Sequence, residues 1–65
     1  MNKGDKVLVR ADVDMPHPQT LGQGKKGVIV GAFIACDGFE RRQCYTVSVE
    51  DREISYYPEE LDISD

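Results

Sequence analysis

Gln43-Cys-Tyr-Thr-Val-Ser-Val-Glu50 alternates with a period of two, so Tyr45, Val47 and Val49 share one face of an extended segment while Cys44, Thr46 and Ser48 share the other. A helix has a different period, and β-branched residues dominate the stretch. The segment is therefore read as a strand whose valine face points to a core, with Cys44, Thr46 and Ser48 facing out. Glu53 to Tyr57 (EISYY) follows after Asp51-Arg52, a link short enough to force an antiparallel hairpin.

Upstream, Lys26 to Ala35 (KGVIVGAFIA) is a nearly unbroken apolar run, the pattern of a central strand covered on both faces, and Gly31 within it marks a bulge or sharp bend. Asp5 to Arg10 supplies a first strand with Val7 and Val9 on one side. Between them Ala11 to Lys25 is a long connection. Pro16 and Pro18 remove two backbone donors there, Gly22, Gly24 and Gly27 loosen its return leg, and a helix is excluded. Downstream, Tyr57-Pro58-Glu59-Glu60-Leu61 places proline at the start of one tight turn with two acids at its positive end, ahead of a last strand over Leu61 to Ser64. The expected fold is all-β, five strands in one domain over residues 1–65, because a chain of 65 residues has no material for a second core.

The charge is uneven. The first forty-two residues carry seven bases and five acids, and the remainder one base and seven acids, for a net charge of −4. This balance disfavours nonspecific binding to phosphate backbones. The opening MNKGDKVLV lacks an apolar signal core and no window is long and apolar enough for a membrane helix, so a cytoplasmic chain with no membrane partner is expected, its Cys36 and Cys44 reduced. The two cysteines lack CxxC spacing and His17 is the only histidine, so neither a metal nor another cofactor is expected.

The order of elements resembles the SH3-like barrel, in which a long excursion follows the first strand and a 3₁₀ turn precedes the last. Gly4-Asp-Lys-Val-Leu-Val9 followed by Gly24-Lys-Lys-Gly-Val-Ile-Val30 resembles the rhythm of KOW-type barrels. Tyr45 to Glu50 and Glu59 to Leu61 are similar to the third strand and acidic turn of the photosystem I accessory subunit and of the ferredoxin-thioredoxin reductase variable chain. That resemblance implies an accessory or interaction module. The tryptophan pair of polyproline-binding SH3 domains has no counterpart, since the chain has no Trp.

No catalytic set stands out. Cys36 and His17 lack an orienting third group, Asp12 and Asp14 are too few oxygen ligands for a hard cation, and the glycine-rich Gly22 to Gly27 leads into a strand instead of a helix. The chain is expected not to be an enzyme. Tyr56 and Tyr57 point to opposite faces of one strand, so only one enters the core. The outward one either joins Phe39 and His17-Pro18 in an exposed apolar patch or is covered by the long loop. The candidate surface for a protein partner is His17, Pro18, Phe39, Arg41, Arg42, Tyr56 and Tyr57. The alternative is a KOW-like module contacting RNA or the transcription and translation machinery through Lys25, Lys26, Arg41 and Arg42, provided their two loops converge. The oligomeric state is left open.

Overall fold

The computed structural model describes residues 1–64. Five strands, β1 (Lys6–Val9), β2 (Lys26–Asp37), β3 (Glu40–Val49), β4 (Arg52–Tyr56) and β5 (Leu61–Ile63), form one antiparallel sheet in the order β4-β3-β2-β1-β5. Short 3₁₀ turns occupy Gln19–Gly22 and Pro58–Glu60. Among the described residues β4 and β5 do not pair, so hydrogen bonds leave the sheet open. No helix is long and apolar enough to cross a membrane.

The period-two reading of β3 places the core. Val47 and Val49 are buried with Val7, Val9, Ile29, Ile54, Tyr56 and Leu61, and Met15 and Tyr45 pack against them, half-buried. Packing at this core requires glycine at position 27. A Cβ there would lie 2.7 Å from the Ser48 carbonyl oxygen and 2.6 Å from Val47 Cγ1. Gly22 likewise faces the Tyr56 hydroxyl with no room for a methyl group. Gly22 and Gly27 therefore admit close approach, and the expectation that they loosen the loop is corrected. The loop also contains the 3₁₀ turn Gln19–Gly22, a single tight turn where no helix was expected.

Two boundaries differ from the sequence reading. β2 and β3 extend past Ala35 and Gln43 to a two-residue turn, with Asp37 opposite Glu40 and Gly38 at φ 63°. Cys36 to Arg42 thus form a hairpin arm and not a loop. Its residues carry no apolar alternation, but a glycine at the first central position suits a tight hairpin turn. The apolar run of β2 is also not covered on both faces: Ile29 is buried, while Val28, Phe33 and Ile34 are exposed. Pairing with β1 ends at Val28, and the register shift expected near Gly31 lies between Ile29 and Gly31, so the strand beyond it has β3 as its only neighbour in the sheet.

The β3–β4 hairpin turns on Glu50-Asp51, one residue earlier than expected, with Val49 opposite Arg52. Both turn residues have positive φ, 49° and 65°, a conformation that costs an L-residue energy and that Asn-Gly normally fills. Asp51→Gly is expected to stabilise the fold by about 0.5–1 kcal/mol and raise the thermal midpoint by about 2–6 °C. An unchanged or lower midpoint in thermal denaturation would show that the turn carries no such cost.

Candidate functional site

Residues on the face opposite the valines build the site. The register sets Phe33 opposite Cys44 and Ala35 opposite Arg42, and pairing of Tyr45 with Tyr56 brings Tyr57 beside Cys44 on the next strand. The first loop lies over one side of this row. The Tyr56 hydroxyl donates to the Gln19 carbonyl at 2.8 Å, the Gln23 side-chain amide donates to the Val13 carbonyl at 2.8 Å, and the Gly24 N–H donates to the Val9 carbonyl at 2.9 Å. Between loop and sheet is a cleft of about 230 Å³. Pro16 and Gln19 form its loop wall, and Phe33, Ala35, Cys44, Ser55, Tyr56 and Tyr57 its sheet wall.

Cys44 is 5% exposed, which corrects the expectation that it faces solvent. Alternation does put it on the opposite face from Tyr45 and Val47, but burial there depends on a cover contributed by distant parts of the chain. Gln19 Oε1 is buried without a hydrogen-bond partner among the described residues.

The rim is ionic. The Arg42 guanidinium lies 3.9 Å from the centroid of the Tyr57 ring and donates to Glu59 Oε1. The hydrogen bond to Glu59 raises the Arg42 pKa. Glu59 is lowered, first by its own backbone N–H against an opposing desolvation, and further by Arg42. Glu60 serves the turn instead: its Oε1 accepts from the Tyr57 N–H at 2.8 Å, its N–H donates to the Tyr57 carbonyl at 3.0 Å, and the side chain is buried. The turn that holds Glu59 over Arg42 is therefore fixed from within, as its proline and paired acids lead one to expect.

Of the candidate partner residues, Arg42 and Tyr57 meet at this rim. Tyr56 does not belong to an exposed surface: it is 1% exposed and its ring is core. His17 and Pro18 are exposed on the loop next to Pro16 and Gln19, which form the wall in their place. Phe39 is fully exposed at the hairpin turn, about 17 Å along β3 from Cys44 at ordinary strand rise, so it does not share a patch with Tyr57. Arg41 is exposed and alternates to the other face from Arg42. The basic set for RNA does not converge. Lys25 and Lys26 adjoin one end of β2 and Arg41 and Arg42 the other, and Lys25 is paired with Glu50 at 3.0 Å. Asp12 is held by Arg10 through two hydrogen bonds of 2.9 and 3.0 Å.

Phe33, Ala35, Cys44, Ser55, Pro16 and Gln19 are site residues that the sequence reading missed. Parity against Ile54 carries the signal for Tyr57, which stands on the outer row, whereas Phe33 and Ala35 share the parity of the buried Ile29 and reach the outer row only through the register shift between Ile29 and Gly31. None of the cleft walls is a histidine or carboxylate. Two other depressions, about 380 Å³ beside Gly4, Asp5, Lys6, Ile63 and Ser64 and about 250 Å³ beside Lys6, Lys26 and Val28, are more open and carry no aromatic wall. Among the described residues no three His, Cys, Asp or Glu side chains gather as metal ligands. No family model, curated protein or solved structure matches this chain.

Proposed function

We propose that the chain is a small SH3-like barrel acting as a non-enzymatic interaction module or accessory subunit, and that it holds an extended apolar segment of a protein partner in the cleft between the first loop and the sheet. Connectivity supports the barrel. β4 and β5 stand at opposite edges of the sheet, about 19 Å apart if it were flat. Yet Tyr57 and the three-residue 3₁₀ turn that join them cover only about 10 Å. The sheet must curl to bring its edges that near.

The observation that carries the binding role is the cleft itself: an apolar wall of Phe33, Ala35 and Tyr57, with Arg42 stacked on Tyr57 at its rim. A concave apolar surface with a few polar groups at its edge is the common form of a binding site. Aromatic and arginine residues are also those that most often dominate binding energy.

Peptides selected from a displayed random library against the intact chain test this. Tyr57→Ala is expected to weaken the selected peptides at least about tenfold. Unchanged affinity would overturn the assignment of the cleft. RNA binding that falls steeply with salt and is lost in Lys25→Ala and Lys26→Ala would replace it with the nucleic-acid reading.

A further inference from the structure

The register shift between Ile29 and Gly31 reverses which residues of β2 direct their backbone away from β3. Before it, the Ile29 N–H donates to the Asp5 carbonyl at 2.9 Å and the Ile29 carbonyl accepts from Gly4 at 2.7 Å, on the β1 side. Beyond it, the strand closes onto β3 through the two-residue turn at Gly38-Phe39, with Asp37 opposite Glu40. By the alternation of an antiparallel ladder, Gly31, Phe33 and Ala35 exchange their bonds with β3, and Ala32, Ile34 and Cys36 direct theirs outward.

Pairing with β1 has already stopped at Val28. Among the described residues no other backbone hydrogen bond reaches Ala32, Ile34 or Cys36 from the open side. This edge, Gly31-Ala-Phe-Ile-Ala-Cys36, carries no charge and no proline, the devices that ordinarily block strand addition. Ile34 is 55% exposed on it and Phe33 41%.

We infer that this edge joins two copies of the chain, each β2 pairing antiparallel with the other about a two-fold axis beside Ile34. The strand read backwards is its own complement. Ile34 then meets Ile34 of the second copy, Ala32 meets Cys36, and Phe33 meets Ala35. From Ala32 to Cys36 uncharged residues oppose one another, and the large Phe33 faces a small residue. The outward N–H and C=O groups of Ala32, Ile34 and Cys36 find partners in about six new hydrogen bonds. A partner strand of other sequence would have to match this spacing of large and small residues, whereas a second copy supplies it by symmetry.

A pair of such short strands falls below the roughly 1,200 Å² that stable interfaces bury, so the association is weak and concentration-dependent. Each copy carries a net charge of −4, and salt that screens this repulsion strengthens the dimer.

Solvent exchange of backbone amides, followed by NMR on the intact chain, tests the inference. Exchange at Ala32, Ile34 and Cys36 is expected to slow about twofold or more between about 0.1 and about 2 mM chain, with Phe33 and Ala35 unchanged. Ile34→Lys replaces an exposed side chain and is expected to abolish the effect while leaving the core spectrum intact. Ala32→Lys serves as an independent second variant on the same edge. In a Cys36→Ser background, mild oxidation of Ile34→Cys is expected to give a dimer linked through the two introduced thiols. Exchange independent of concentration, or a dimer that persists in both lysine variants, would overturn the inference.

Discussion

Gly27→Ala is expected to destabilise the domain by about 3 kcal/mol or more, enough to remove most of the stability of so short a chain. The added Cβ would fall 2.7 Å from both the Ser48 carbonyl oxygen and Val49 Cγ2, and 2.6 Å from Val47 Cγ1, so backbone and two core side chains would have to yield together. Two other glycines separate this effect from backbone conformation. Gly38 has φ 63° and open space around it, so Gly38→Ala costs about 1 kcal/mol through conformation alone. At Gly31 a Cβ would meet Thr46 at an ordinary 3.9 Å, and Gly31→Ala is expected to be nearly neutral. Urea denaturation of the three variants gives the ranking directly. A Gly27→Ala midpoint no lower than that of Gly38→Ala would contradict the close packing of β2 on β3.

Tyr56→Ala is expected to cost about 3–5 kcal/mol, because it empties the largest fully buried side chain of the core. It also cuts a side-chain hydrogen bond from the sheet to the 3₁₀ turn of the first loop, Tyr56 Oη to the Gln19 carbonyl at 2.8 Å. Tyr56→Phe isolates the second effect. It keeps the ring, costs about 1 kcal/mol, and frees the loop wall of the cleft, so amide exchange quickens around Gln19 while the β3–β4 ladder stays protected. Equal quickening throughout would mean that the hydroxyl does not anchor the loop.

The same phenol sets an alkaline limit. Its pKa is raised, chiefly by burial and then by the nearby Glu60 charge. The folded state therefore holds the proton more tightly than the unfolded state, whose phenol titrates near the ordinary value of about 10. Stability from this group is fully present below that pH and is lost as pH rises through the folded value. A thermal midpoint that falls above about pH 10 in the natural chain, with a smaller fall in Tyr56→Phe, is the expected result. Identical profiles would assign the alkaline loss to other groups.

The hairpin of β3 and β4 was legible because branched apolar residues at every second position report burial on one face, and a two-residue link allows only an antiparallel return. Ile54 already decides between the two tyrosines, since Tyr56 shares its parity and Tyr57 does not. The arm from Cys36 to Arg42 was not legible, because its sequence carries no apolar alternation for burial to be read from. The cleft was half legible. Arg42 and Tyr57 stand out as a cation and an aromatic, but Pro16 and Gln19, which line the cleft together with Cys44, come from far away in sequence. No local period encodes a cover of that kind. The exposed Phe39 and His17-Pro18 looked like parts of one patch only because sequence spacing is silent about the length of the arm that carries Phe39 away.

The cleft assignment is tested most directly by mapping amide shifts on the isotopically labelled chain as a library-selected peptide is added. Shifts at Gln19, Phe33, Cys44, Ser55 and Tyr57, with Lys6, Ile63 and Phe39 unmoved, are the expected result. Shifts centred on the open depression at Lys6 and Ile63, or on the hairpin turn at Phe39, with the cleft residues silent, would contradict it.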